Sequence, residues 1–87
     1  MNIRIISFTD RGRGVSQTLA AALSAHTVQQ YAKADGFLPY ASVRTFAEES
    51  MAQADAVVFI GAAGIAVRAI APFVRSKDTD PAVLVID

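Results

Sequence analysis

Gly61-Ala62-Ala63-Gly64 follows the apolar run Ala56-Val57-Val58-Phe59-Ile60 and opens a helix-like pattern that reaches Pro72. Nothing in those four residues is larger than a methyl group, so another molecule can approach the backbone closely. A helix starting there presents free N–H groups and a partial positive charge. Together these make the chemistry of an anion-binding corner. The spacing is GxxG, short of a GxGxxG fingerprint, and it follows the third strand rather than the first. Two readings stand: a tight strand-to-helix turn, or a site for phosphate or carboxylate.

A second polar turn, Thr9-Asp10-Arg11-Gly12-Arg13-Gly14, follows the first apolar run. It reads either as a solvated loop or as charged and hydrogen-bonding groups at a crevice. Arginine suits bidentate recognition of carboxylate or phosphate. Asp87 ends the last apolar run and is a further polar candidate. Lys77, Asp78, Thr79 and Asp80 precede that run and read as a loop or cap, with an interface role second. The single histidine, His26, reads as structural or solvated. No nucleophile, base and orienting group can be assembled from these residues, so no catalytic residue is assigned. A GxxxxGK[ST] phosphate loop is absent, and the acidic pair and aspartate of a phospho-acceptor domain are missing.

The elements that must hold these residues are short and alternate in type. Asn2 to Phe8 reads as a buried strand rich in β-branched and aromatic residues. A helix is expected from Val15, with Val15, Leu19, Ala22 and Leu23 on one face. His26 to Tyr31 is half-polar and reads as an edge strand. Ser42 is a plausible N-cap for a second helix whose apolar face is Val43, Phe46, Ala47 and Met51. The third strand runs through Ile60. The third helix is expected over Gly64 to Arg75, kinked or split at Pro72. Ala82 to Ile86 is a fourth, fully apolar strand.

This β-α-β-α-β-α-β order predicts an α/β, three-layer, doubly wound fold of flavodoxin or Rossmann type. The sheet is four-stranded and parallel, in the order 2-1-3-4. The ligand crevice of such a sheet lies beyond the carboxyl ends of its strands, where the order reverses. Thr9 to Gly14 and Gly61 to Gly64 should therefore meet. On the third helix, Arg68 and Arg75 should share a face, and the apolar residues Ile65, Val67, Ile70, Phe73 and Val74 should span an arc of about 200°. One sheet needs a stripe of little more than half that, so the helix is expected to pack against another domain or subunit as well.

With 87 residues, one domain is expected, over 1–87. Apolar residues make up 53% and charged residues 18%, a globular balance. Eight basic and eight acidic residues cancel, which gives no broad attraction for nucleic acid or an anionic membrane. No cysteine is present, so disulfides, thiolate catalysis and cysteine zinc sites are excluded. No apolar run approaches the ~20 residues of a membrane span. The opening Met-Asn-Ile-Arg-Ile-Ile enters a strand at once, without the form of a signal peptide, and the expected location is the cytoplasm.

Gly61 to Pro72, followed by Lys77-Asp78-Thr79-Asp80-Pro81-Ala82-Val83-Leu84-Val85-Ile86-Asp87, resembles the amino-terminal domain of the CbiG family of cobalamin-biosynthesis proteins. The opening Ile5-Ile6-Ser7-Phe8-Thr9, with Gly12 or Gly14 after it, also fits. The resemblance covers essentially the whole chain. It implies a part in the anaerobic route to the corrin ring, in which family members act as cobalt-precorrin-5A hydrolases. These open the ring-A δ-lactone and release acetaldehyde. The implied ligand is a cobalt-corrinoid intermediate with several carboxylates; its cobalt belongs to the substrate, and no cofactor or metal is expected on the domain itself. Thr9, Arg11, Gly12, Gly61, Ala62, Ala63, Gly64, Arg68 and Asp87 are the candidate substrate-binding residues. The resemblance further implies a longer protein, whose carboxyl-terminal domain, or a second subunit, would lie against the helix at 64–75. This piece alone is expected to turn nothing over. The competing expectation is a non-catalytic docking module.

Overall fold

The computed structural model describes residues 1–87. Four strands, β1 (Asn2–Ser7), β2 (Thr27–Tyr31), β3 (Ala56–Ile60) and β4 (Ala82–Ile86), form one parallel sheet in the order β2-β1-β3-β4. Helix α1 (Asp10–Ala22) covers one face. Helices α2 (Val43–Gln53) and α3 (Ala63–Ile70) cover the other, and the 3-10 turn Ala71–Phe73 extends α3. This is the three-layer α/β arrangement expected from the alternating pattern.

The central strands are buried on both sides, which explains their unbroken apolar composition. Ile3, Ile5, Ala56, Val58 and Ile60 face α1, where Leu19, Leu23 and Val28 complete a small core. Ile6, Val57 and Phe59 face the other way, against Phe46, Ala47, Met51, Ala66 and Ala69. Phe46 meets Tyr31 and Phe59 edge-on, with ring centroids 5.0 and 5.8 Å away. Such edge-to-face contacts add to the area they bury.

Two expected boundaries are corrected. Helix α1 starts at Asp10, not at Val15, so the Thr9–Gly14 segment is mostly helix. The Thr9 hydroxyl accepts from the Gly12 N–H at 2.9 Å and caps the helix. Gly12 is needed there for space rather than for a turn. A Cβ on it would lie 3.1 Å from the Thr9 hydroxyl and 3.4 Å from Ile60. The face of α1 that meets the sheet is accordingly Gly12, Ser16, Leu19 and Leu23, while Val15 and Ala22 are exposed at its flank.

Helix α3 ends at Ile70 instead of continuing to Arg75. Pro72 has no N–H to donate to the helix and sits in the 3-10 turn that closes it. Arg68 and Arg75 therefore share no helical face. Ala66 and Ala69 carry the buried stripe of α3, and Val67 and Val74 are left 60% and 55% exposed. The Ser42 cap is found as expected, accepting from the Thr45 N–H at 3.0 Å.

Candidate functional site

A cleft of about 470 Å³ opens beyond the carboxyl ends of β1, β3 and β4. Thr9, Arg11 and Gly12 form one wall, Gly61 and Ala62 the other, and Asp87 with Ile86 closes the side at β4. The doubly wound topology makes this meeting unavoidable, because β1 and β3 are neighbours and both run toward it. Six of the nine sequence-derived candidates thus line one space. Ala63, Gly64 and Arg68 do not line it.

Those three residues belong to the first turns of α3. Arg68 folds back along its own helix, and its Nε donates to the Gly64 carbonyl at 3.2 Å. Arg13, the other arginine of the first turn, is half-buried and paired with the exposed Asp10. Arg11 is the arginine among the lining residues, and Asp87 is the acidic one, at the opposite edge. The cleft therefore holds both signs of charge.

The backbone at the start of α3 is poorly satisfied within the chain. Ala62 is the N-cap and offers no side-chain acceptor. Gly61 donates to the Ile86 carbonyl at 2.8 Å, but the N–H groups of Ala62, Ala63 and Gly64 find no acceptor. An uncapped helix start of this kind favours an anion. The two glycines of the corner differ in cause. A Cβ on Gly61 would meet the Phe8 ring at 3.0 Å, so internal packing demands glycine there. At Gly64 the nearest atom to a Cβ is the flexible end of Arg68 at 3.6 Å, so the fold itself does not require glycine.

Sequence reasoning passed over Ser7 as a buried group. Its hydroxyl is fully buried under the first turn of α1 and has no hydrogen-bond partner. Its position at the end of β1, beside Gly12, was the available signal. At the far end of the sheet, Asp80 acts as a cap: its carboxylate accepts from the N–H groups of Arg75 and Ser76 at 2.8 and 3.0 Å. His26 lies just ahead of β2, exposed, with Nδ1 3.3 Å from the terminal amine. No three His, Asp or Glu side chains gather as a metal-binding group.

Residues 45–87, which include the α3 corner and β4, match the family model described as cobalamin synthesis G N-terminal. The whole chain also aligns with one curated protein, the cobalt-precorrin-5A hydrolase of Salmonella typhimurium (strain LT2). The identity is 36% over 88 aligned positions, covering 99% of this chain and 25% of that protein. Both matches support reading this chain as a cobalamin synthesis G N-terminal domain. The resemblance seen in the Gly61–Asp87 segment is thereby borne out. The family model covers the α3 wall of the cleft and Asp87, whereas Thr9, Arg11 and Gly12 fall only within the longer alignment. The chain spans about a quarter of the length of the curated relative it matches. No solved structure matches it significantly.

Proposed function

We propose that this domain contributes one wall of a corrinoid-binding site in a cobalt-precorrin-5A hydrolase of the cobalamin pathway. The reaction proposed for the whole protein is opening of the ring-A δ-lactone with release of acetaldehyde. The observation that carries the reading is the cleft itself, where the Arg11 side chain and the uncapped start of α3 lie at one switch point. A cobalt tetrapyrrole with peripheral carboxylates matches both: a guanidinium binds carboxylate as a fork, and free N–H groups favour a second anion. Cobalt enters as part of the substrate. The nucleophile-activating base would come from elsewhere, because no histidine or carboxylate pair stands in the cleft beside a nucleophile. We place this activity in the cytoplasm.

The test is binding of a cobalt-corrinoid polycarboxylate, followed by its visible absorbance. Arg11→Ala should weaken binding about tenfold, in line with the loss of one charge-assisted hydrogen-bonded pair. Gly64→Ala is the control. It should stabilise the fold by roughly 0.5–1 kcal/mol, because alanine is the better helix former and the site has room. It should leave corrinoid affinity unchanged, because Gly64 does not line the cleft. Unchanged affinity in Arg11→Ala would sink the assignment of this cleft.

A second reading, a docking module, is favoured by one observation. Val67, Val74, Leu84, Val85 and Ile86 leave apolar surface exposed on α3, after it and on β4. In this reading the partner is the remaining part of a longer protein, or a second subunit. The surface at β4 is the stronger attachment point and α3 the weaker. A chain that stays strictly monomeric across a wide concentration range in sedimentation velocity would count against the second subunit.

A further inference from the structure

Arg4 sits in the middle of the central strand β1, where every other residue from Ile3 to Ile6 is aliphatic. Its side chain lies on the α2 face and the residue is 8% exposed. No carboxylate compensates it, since the one ion pair in the molecule is Arg13–Asp10. Its partners are neutral: Nη2 donates to the Gln53 Oε1 at 2.7 Å, and Nη1 reaches the Ser50 hydroxyl at a long 3.5 Å. Nε is buried and has no partner. The neighbouring strand adds no charge, because Arg4 is in register with Gln29, whose Oε1 is also buried and unpartnered. A buried cation without an anion is strongly unfavourable, and an aliphatic residue would avoid that penalty. The guanidinium has no carboxylate within ion-pair distance.

Beside Arg4 is a cavity of about 190 Å³, separate from the cleft and sharing no residue with it. Its walls include Tyr31, Tyr40, Phe46 and Thr45, with Glu49 among its lining residues. The volume equals about six water molecules at ~30 Å³ each, enough for a carboxylate with a short carbon chain. The Lys33 ammonium lies 5.4 Å from the ring centroid of Tyr40, one of the lining residues. Burial also holds the Tyr40 phenol protonated beyond its ordinary range. We propose that this cavity binds a small organic carboxylate, with Arg4 as its counter-ion and the aromatic walls around its carbon chain. The planar guanidinium matches the carboxylate fork, and the ring-lined walls favour a carbon tail over a phosphate, which is polar on every side. Glu49 is the internal competitor, since its negative charge lines the same space.

Titration of the 15N-labelled chain with sodium propionate tests this, with propionamide and inorganic phosphate at equal ionic strength as controls. Propionate should give saturable shifts at Arg4 Nε–H and at the amides of Tyr31, Tyr40 and Thr45, and propionamide should give none. Arg4→Met, which keeps the length and removes the charge, should abolish the response while the spectrum remains that of a folded chain. Glu49→Gln should tighten propionate about three- to tenfold by removing a nearby like charge. The proposal is overturned if propionate gives no saturable shift, if propionamide matches it, or if phosphate binds as well. A response that appears only in Glu49→Gln also overturns it, because Glu49 would then be the anion that Arg4 serves. Should Arg4→Met fail to fold, the propionate–propionamide contrast and Glu49→Gln still decide.

Discussion

The two edges of the sheet are built differently. At β2 the sequence Thr27-Val28-Gln29-Gln30-Tyr31 alternates, and residues 28–31 are half-buried. Its outer backbone is also partly occupied. Leu38 donates to the Gln30 carbonyl at 2.8 Å and accepts from the Ala32 N–H at 3.2 Å. At β4 all five residues are apolar, and Leu84, Val85 and Ile86 are 51%, 39% and 36% exposed. Nothing pairs with its outer side. Helix α1 does not reach it, so Ile86 faces an open groove of about 600 Å³ bordered by Val15, Leu19 and Ala22. The β2 edge has the polar, covered form that discourages further pairing, whereas β4 has the composition of an interior strand. The difference locates the surface where a partner would add most.

The largest effect should come from proline in β4. The Ala82 N–H donates to Asp55 and the Ile86 carbonyl accepts from Gly61, so residues 82, 84 and 86 turn their backbone toward β3. Val83 and Val85 turn theirs outward. Leu84→Pro should therefore cost on the order of 3 kcal/mol in urea denaturation. Val85→Pro should cost about 1 kcal/mol or less, because its N–H is unpaired, and should suppress any association through this edge. Equal losses from the two prolines would show that the outer edge of β4 is already paired.

Amide exchange should show the same asymmetry without mutation. The Val83 and Val85 amides should exchange about tenfold or more faster than those of Leu84 and Ile86, while Ala32 and Leu38 at the other edge are protected. Side-chain replacement should matter less. Leu84→Thr should leave stability within ~0.5 kcal/mol, because half of Leu84 is already in water. A larger loss would mean that the groove beside α1 is filled in solution.

The smallest effect belongs to the loop that follows β2. Burial raises the Tyr40 phenol above its ordinary value of 10.0. Below pH 10 both folded and unfolded chains keep the proton, and the stabilising contribution is complete. Above it the unfolded chain ionises first, so stability falls as pH rises through the folded value. Tyr40→Phe should flatten that part of the alkaline limb, measured as denaturation midpoint against pH.

The strands were legible because buried parallel strands must be continuous apolar runs. Val57-Val58-Phe59-Ile60 has no other economical reading. Ser42 was legible because a hydroxyl before an apolar helical pattern satisfies an orphan N–H. The start of α1 was misread because Gly12 and Gly14 look like a turn. Only the neighbouring Ile60 and Thr9 show that Gly12 is there to let the helix close on the sheet. The end of α3 differs from the expected Arg75 because Pro72, read from sequence as kinking or splitting the helix, lies in the 3-10 turn that closes it.

For the cleft, the sequence determined which segments meet. Alternating strands and helices leave one strand order and one switch point, and the turns after β1 and β3 must adjoin it. Tertiary structure decided which side chains reach that place, because a helical residue's direction depends on the helix's start and rotation. The start of α1 at Asp10 pairs Arg13 with Asp10 within the first turn, and a contact within the helix holds Arg68 beside its own first turn. The same holds for Arg4 and β4. Composition fixed that one cation stands in a central strand and that one strand is wholly apolar. Whether a carboxylate meets that cation, and whether a layer covers that strand, depends on residues far along the chain, and only packing brings those together or leaves them apart.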